Sequence, residues 1–180
     1  MSSCTVATLP RISAAALSSM ILSASSSNLN ATPTESHFAI IDVRDDDHIG
    51  GHIRNSQNVP SSTLDYKIPE LVRKLADKEI VVFHCALSQQ RGPSAALKYL
   101  RERERLIGPS TSIGKAMEKS AAESKAAKDS NEEWVDVNED EKKEQKVYVL
   151  DRGFVGWQEV YGEDTRLTEG YRKEIWADGY

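Results

Sequence analysis

Apolar residues along this chain fall into short continuous runs and helix-spaced sets. Residues 38–43 form an apolar run with Asp42 near its end, the pattern of a strand buried on both faces. Ile68, Leu71, Val72 and Leu75 stand at i, i+3, i+4 and i+7, which predicts an amphipathic helix. A second strand is predicted over residues 79–83, and a helix over residues 92–105. Residues 12–22 have near-helical apolar spacing with Ser13 as candidate N-cap, whereas residues 1–9 read as a flexible tail. Residues 23–36, rich in Ser, Asn, Thr and Pro, read as a loop. Residues 165–176 predict one more helix, with Leu167, Tyr171, Ile175 and Trp176 packing back. Strands alternating with helices predict an α/β fold, a parallel sheet covered on both faces.

Residues 108–146 break the pattern. Seven Lys and ten acidic residues lie between Lys115 and Lys146, with few large apolar side chains. Such a stretch buries too little surface to offset its ordering entropy, so it reads as a charged, low-complexity insertion. Residues 117–128 fit a solvated helix, and Trp134 and Val135 are candidate contacts to the domain. The division that follows is a domain over residues 10–162, interrupted at 108–146, with a helical tail over residues 163–180.

Composition narrows the classes. The 180 residues suffice for one domain with its own core. A net charge of −5 argues against general nucleic-acid binding. Two Cys, Cys4 and Cys85, make no disulfide framework, and a reactive thiol needs a reducing compartment, so the expected location is cytoplasmic, nuclear or both. No apolar stretch is long enough to span a membrane. The four His and two Cys show no metal-ligand spacing, so no metal is expected.

The chemistry concentrates in His84-Cys85-Ala86-Leu87-Ser88-Gln89-Gln90-Arg91-Gly92-Pro93. A β-type run leads in and a helix-forming run leads out. Successive backbone N–H groups entering a helix start converge on one spot, and the helix dipole adds positive potential there. Both a bound anion and a thiolate at Cys85 are favoured in such a place. Arg91 brings a planar fork suited to two oxygens of a tetrahedral oxyanion. Pro93 suits the first helical turn. The candidate catalytic pair is Cys85 and Arg91, with residues Ala86, Leu87, Ser88, Gln89, Gln90 and Arg91 as the substrate-binding loop. Within that loop the backbone amides are expected to matter more than the side chains. His84, Asp42, Arg44 and Gly92 are assigned supporting roles, and His52 a structural polar contact. Asp45, Asp46 and Asp47 are candidate general acids by proximity along the chain only, and are not assigned to the catalytic set.

The loop resembles the Cys-x5-Arg signature of cysteine-dependent phosphatases, and its Arg91-Gly92-Pro93 ending resembles that of Cdc25 phosphatases and the small Cdc25-like phosphatase and arsenate reductase proteins of fungi and plants. Upstream, Ile41-Asp42-Val43-Arg44, then Gly50-Gly51-His52-Ile53 and Asn58-Val59-Pro60, looks like the opening motif of the rhodanese fold. Downstream, the run from Val147 to Trp157 resembles that fold's closing strand and helix. The resemblance implies a single rhodanese-like domain with a central parallel sheet of about five strands flanked by helices. Rhodanese-type sulfurtransferases have four residues between Cys and Arg; here there are five, as in the phosphatase-like branch, which widens the ring of N–H groups to fit phosphate or arsenate.

Two departures stand out. Cdc25 phosphatases carry Glu within the loop, including just before the Arg, where this chain has Ala86 and Gln90; neither donates a proton to a leaving group. Cdc25 also has a Cys in the opening motif where Val43 stands, so Cys85 lacks a resolving thiol unless Cys4 reaches it. The resemblance implies a tyrosine or dual-specificity protein phosphatase working through a phosphocysteine, without cofactor. The alternative is an arsenate reductase that takes electrons from glutathione and glutaredoxin. Two further readings are a thiosulfate sulfurtransferase and a phosphate-binding module without turnover. The implied partner is a phosphorylated protein or a small oxyanion, with neither nucleic acid nor membrane, and the chain is expected to be a monomer.

Overall fold

The structure, a computed structural model, describes residues 5–27, 36–108 and 144–179. In chain order the elements are β1 (Arg11–Ile12), α1 (Ala14–Ser27), β2 (Phe38–Asp42), β3 (His52–Ile53), β4 (Ser56–Asn58), a 3-10 turn (Ser61–Thr63), α2 (Leu64–Lys74), β5 (Ile80–His84), α3 (Arg91–Ile107), β6 (Lys146–Leu150), α4 (Gly153–Tyr161), β7 (Thr168–Glu169) and α5 (Lys173–Trp176). Five strands form one parallel sheet in the order β1-β6-β5-β2-β4, and β3 pairs with β7 antiparallel.

Strand alternation sorts the core into two layers. Ile41, Val81, Phe83, Val147 and Val149 point to the face covered by α2 and α3, where Ile68, Leu71, Val72, Ala95, Ala96 and Tyr99 meet them. Ile40, Val82 and Leu150 point to the other face, against Leu17 and Ile21 of α1 and Phe154 and Trp157 of α4. Side chains that alternate faces along each strand, all apolar, require cover on both sides. The sequence expectation of a parallel α/β sheet of five strands is met.

Boundaries differ where long-range pairing overrides local pattern. Arg11 and Ile12 join the sheet edge beside Val149 and Leu150, so the first helix begins at Ala14, with the Ala16 amide donating to Ser13 Oγ at 3.2 Å. The helix runs on to Ser27, into the stretch read as a loop. Leu9, read as tail, is buried in the core. The helix expected over residues 165–176 is a correction: only Lys173–Trp176 is helical, and Thr168–Glu169 pairs with β3 instead. Packing of that segment does occur. Leu167 is buried, Trp157 Nε1 donates to Thr168 Oγ1 at 2.9 Å, and Trp176 Nε1 donates to the Gly50 carbonyl at 2.9 Å.

The insertion ends earlier than its composition suggested. Gln145 is buried; its Nε2 donates to the Leu75 and Lys78 carbonyls at 2.6 and 2.7 Å, and its Oε1 accepts from Tyr99 Oη at 2.8 Å. Lys146 already belongs to β6. The expectations for residues 117–128, Trp134 and Val135 lie outside the described residues. Among the described residues no helix is long and apolar enough to cross a membrane.

Candidate active site

The register of two neighbouring strands creates the site. Asp42 at the end of β2 stands opposite His84 at the end of β5, so the loops leaving both strands emerge side by side at the carboxyl edge of the sheet. One loop carries Cys85; the other carries Asp45 and Asp47.

The Cys85 loop is shaped by what its carbonyls bind. The Phe154 amide donates to the Cys85 carbonyl and the Val155 amide to the Ala86 carbonyl, both at 2.9 Å. In a trans peptide the C=O and the following N–H point in opposite directions. Drawing these carbonyls to the start of α4 therefore turns the Ala86 and Leu87 amides the other way. The approach is close enough to need glycine: Gly153 has φ +56°, and a Cβ there would lie 2.4 Å from the Ala86 oxygen. Arg11 Nη2 donates to the Ser88 carbonyl at 3.3 Å, which turns the Gln89 amide likewise.

Cys85 lies at the floor of this turn, 4 % exposed. The Ser88 amide donates to Cys85 Sγ at 3.2 Å. Ser88 reaches that pose with φ +54°, a left-handed conformation uncommon for a residue other than glycine. Its buried hydroxyl accepts the Cys85 amide at 3.4 Å. The Ser88 side chain thus braces the loop from within. Leu87, Gln89 and Gln90 are exposed, and Ala86 is buried. Gly92 packs flat on the loop, where a Cβ would sit 3.4 Å from Cys85 N and Ser88 Oγ. Among the described residues no side chain caps the 17-residue α3, so its first amides are left as donors at the end of the loop.

Beneath the loop lies a buried polar group. Arg44 and Asp42 are both fully buried; Arg44 Nη2 donates to Asp42 Oδ2 at 2.7 Å and Nε to both carboxylate oxygens. Arg44 also donates to the Gly51 carbonyl at 2.9 Å, and its guanidinium carbon lies 4.2 Å over the Phe154 ring. Burial pushes the Asp42 carboxyl up, but His84 and the Arg44 fork outweigh it and hold it below the usual carboxylate range. Burial pushes the His84 imidazole down, against the pull of Asp42, whose Oδ2 lies 3.8 Å from Nε2. His84 Nδ1 donates to the Cys85 carbonyl at 3.2 Å, and among the described residues the buried Nε2 has no hydrogen-bond partner. The supporting positions Asp42, Arg44, His84 and Gly92 therefore sit directly under or against the loop. His52 pairs with Glu169 at 3.1 Å, joining β3 to β7.

Arg91 holds a surprise. Its Nη1 donates to Asp47 Oδ1 at 2.7 Å and Asp45 Oδ2 at 3.1 Å, and its Nη2 to Asp47 Oδ2 at 2.5 Å. Asp45 is fixed in turn by Ser61 Oγ at 2.5 Å and the Ser62 amide at 2.9 Å. Arg91 is raised above the ordinary arginine value, first by the Asp47 hydrogen bonds and, among smaller causes, by the nearby Cys85 sulfur. The Asp45 carboxyl is lowered: burial pushes it up, but hydrogen bonds from Ser61, Ser62 and Arg91 prevail. Proximity along the chain had made these aspartates candidate general acids outside the catalytic set. The sequence signal was an acidic run just past the carboxyl end of a buried strand.

Comparison with known proteins agrees with the geometry. The rhodanese-like domain family matches residues 25–160. The chain is 30% identical over 157 residues to the CDC25-like phosphatase YCH1 of Saccharomyces cerevisiae, covering 82% of this chain and 83% of that one. It is 30% identical over 122 residues to arsenate reductase 2.2 of rice, Oryza sativa subsp. japonica, covering 67% and 69%. A solved yeast structure, described as a protein tyrosine phosphatase of the rhodanese family, superposes with a TM-score of 0.63 at 27% identity over 97% of this chain and 99% of that one. With sheet, loop and relatives in agreement, the chain belongs to the rhodanese-like family, among its Cdc25-like phosphatases and arsenate reductases.

Proposed function

We propose that this protein is a cysteine-dependent phosphatase of the Cdc25-like type, acting on phosphorylated protein residues. The observation that carries the proposal is the Ser88 amide aimed at Cys85 Sγ inside a loop whose carbonyls are drawn outward to α4. That arrangement points an N–H donor at the nucleophilic sulfur and leaves amides free for a tetrahedral oxyanion. Cys85 attacks phosphorus in line with the leaving oxygen. The S–P bond forms as the P–O bond breaks, and amides of residues 86–91 with the Arg91 guanidinium stabilise the equatorial oxygens. The leaving oxygen takes a proton, and water then hydrolyses the phosphocysteine, returning the thiolate and phosphate. Asp45 and Asp47, ion-paired to Arg91, are poor proton donors in this pose, so the donor is solvent or a substrate-borne group. Soluble cytoplasmic or nuclear location and a monomeric state fit this chemistry.

A second reading is arsenate reduction. Arsenate shares the tetrahedral geometry, and Cys85 is the one free cysteine among the described residues, which fits completion of the reaction by an external thiol such as glutathione with glutaredoxin. Purified protein tested with p-nitrophenyl phosphate, and separately with arsenate, glutathione and glutaredoxin, distinguishes them. Cys85→Ser is expected to abolish whichever activity is present; turnover retained in that variant defeats both readings.

A further inference from the structure

The acidic pair at Arg91 is built more firmly than an incidental surface contact. Asp45 is locked by Ser61 Oγ and the Ser62 amide, and the Asp45 amide donates to Asp47 Oδ1 at 3.0 Å, so each carboxylate is steadied before it meets the arginine. The arginine, in turn, is only partly engaged. A guanidinium has five N–H donors arranged around a plane. Asp47 takes the end edge, one N–H each from Nη1 and Nη2, and Asp45 takes the outer N–H of Nη1. Among the described residues nothing accepts from the Nε–H or from the second Nη2–H. Those two donors run parallel along the remaining edge, the spacing that matches two oxygens of one phosphate or arsenate. The Arg91 side chain is 32% exposed, so solvent and a small ligand can reach it.

We propose that Asp47, steadied by Asp45, is a positioning residue that grips Arg91 by one edge and presents its Nε–Nη2 edge to the oxyanion bound over Cys85. This rests on the oxyanion reading above. The alternative, a latch that must release Arg91 before an anion binds, suits mobile carboxylates, whereas Asp45 is anchored at both oxygens. The two ideas predict opposite signs. Neutralising Asp47 removes a negative charge beside the pocket, which by itself strengthens anion binding. A positioning role reverses that outcome, because a guanidinium free to swing no longer meets the reacting group in line.

The test has two readouts on the full chain: protection of Cys85 from iodoacetamide by inorganic phosphate, and turnover of p-nitrophenyl phosphate. Asp47→Asn is expected to lower kcat on the order of 10²-fold, the usual consequence of a misplaced catalytic group, and to weaken phosphate protection about tenfold. Asp47→Glu, which keeps the carboxylate, is expected to recover at least about tenfold of the lost turnover. In an Arg91→Ala background, Asp47→Asn is expected to change either readout by less than about twofold, since its effect passes through the arginine. Thermal melts of each variant check that the fold is intact. Tighter phosphate protection in Asp47→Asn, or an undiminished loss in the Arg91→Ala background, overturns the inference. Wild-type protein that phosphate fails to protect overturns the oxyanion reading and this inference with it. Protection equal in wild type and Asp47→Asn overturns the inference alone.

Discussion

Two arginine–aspartate assemblies sit a few residues apart at the same sheet edge, and they differ in nearly everything but composition. Arg44 and Asp42 are sealed from solvent, with the guanidinium bonded to its carboxylate, to loop carbonyls and over an aromatic face. Arg91 with Asp45 and Asp47 is a quarter to a third exposed, and among the described residues no acceptor meets one guanidinium edge. The first cannot bind a ligand without unfolding its surroundings; the second cannot contribute much to folding, because solvent screens it. Burial and the count of unfilled donors, rather than residue type, separate scaffold from site.

Substitution on each side sharpens the contrast most strongly. Arg44→Met leaves Asp42 buried without its partner, and is expected to lower stability by about 3–5 kcal/mol. Arg91→Lys is expected to change stability by less than about 1 kcal/mol, while turnover falls steeply because an ammonium cannot present a planar edge. Urea melts beside phosphatase assays measure both; equal stability losses for the two variants would erase the distinction.

A smaller effect is expected at Gly153, which links scaffold to loop. Alanine there meets both a positive φ and the Ala86 oxygen, and is expected to cost about 1–3 kcal/mol while loosening the Cys85 loop. Faster amide exchange at residues 86–88 in Gly153→Ala, beyond the global change in stability, checks the coupling.

The smallest effect concerns pH. His84 is held below its ordinary 6.5, chiefly by burial, so the unfolded chain binds the proton first as pH falls. Its contribution to stability is complete above that value and declines as pH drops below it. Partly buried His48, shifted the same way by burial, acts in the same direction. Wild type is therefore expected to lose stability between pH 7.5 and pH 5.5 in the range about 6.5 and below, and His84→Gln to flatten part of that slope. An unchanged slope in the variant would show that the ring is not buried in its neutral form.

The sequence by itself determined the features encoded over short stretches. Continuous apolar runs placed β2 and β5, helical spacing and a helix-forming run placed α2 and α3, and Cys85 and Arg91 fell at the two ends of one strand–loop–helix unit. Those features depend on side-chain periodicity and on spacing of a few residues, which the linear chain carries directly. Only the tertiary structure decided that Ser88 turns its hydroxyl inward, that Gly153 pins the loop's carbonyls, that Trp176 closes on Gly50, and that Asp45 and Asp47 grip Arg91. Each of these joins groups whose partners are set by the order and register of strands. Asp42 lies opposite His84 because β2 pairs with β5, and that pairing brings two loops more than 40 residues apart into hydrogen-bond range. A donor's partner is a property of the folded sheet, because local sequence fixes where a side chain leaves the backbone but not which distant chain arrives to meet it.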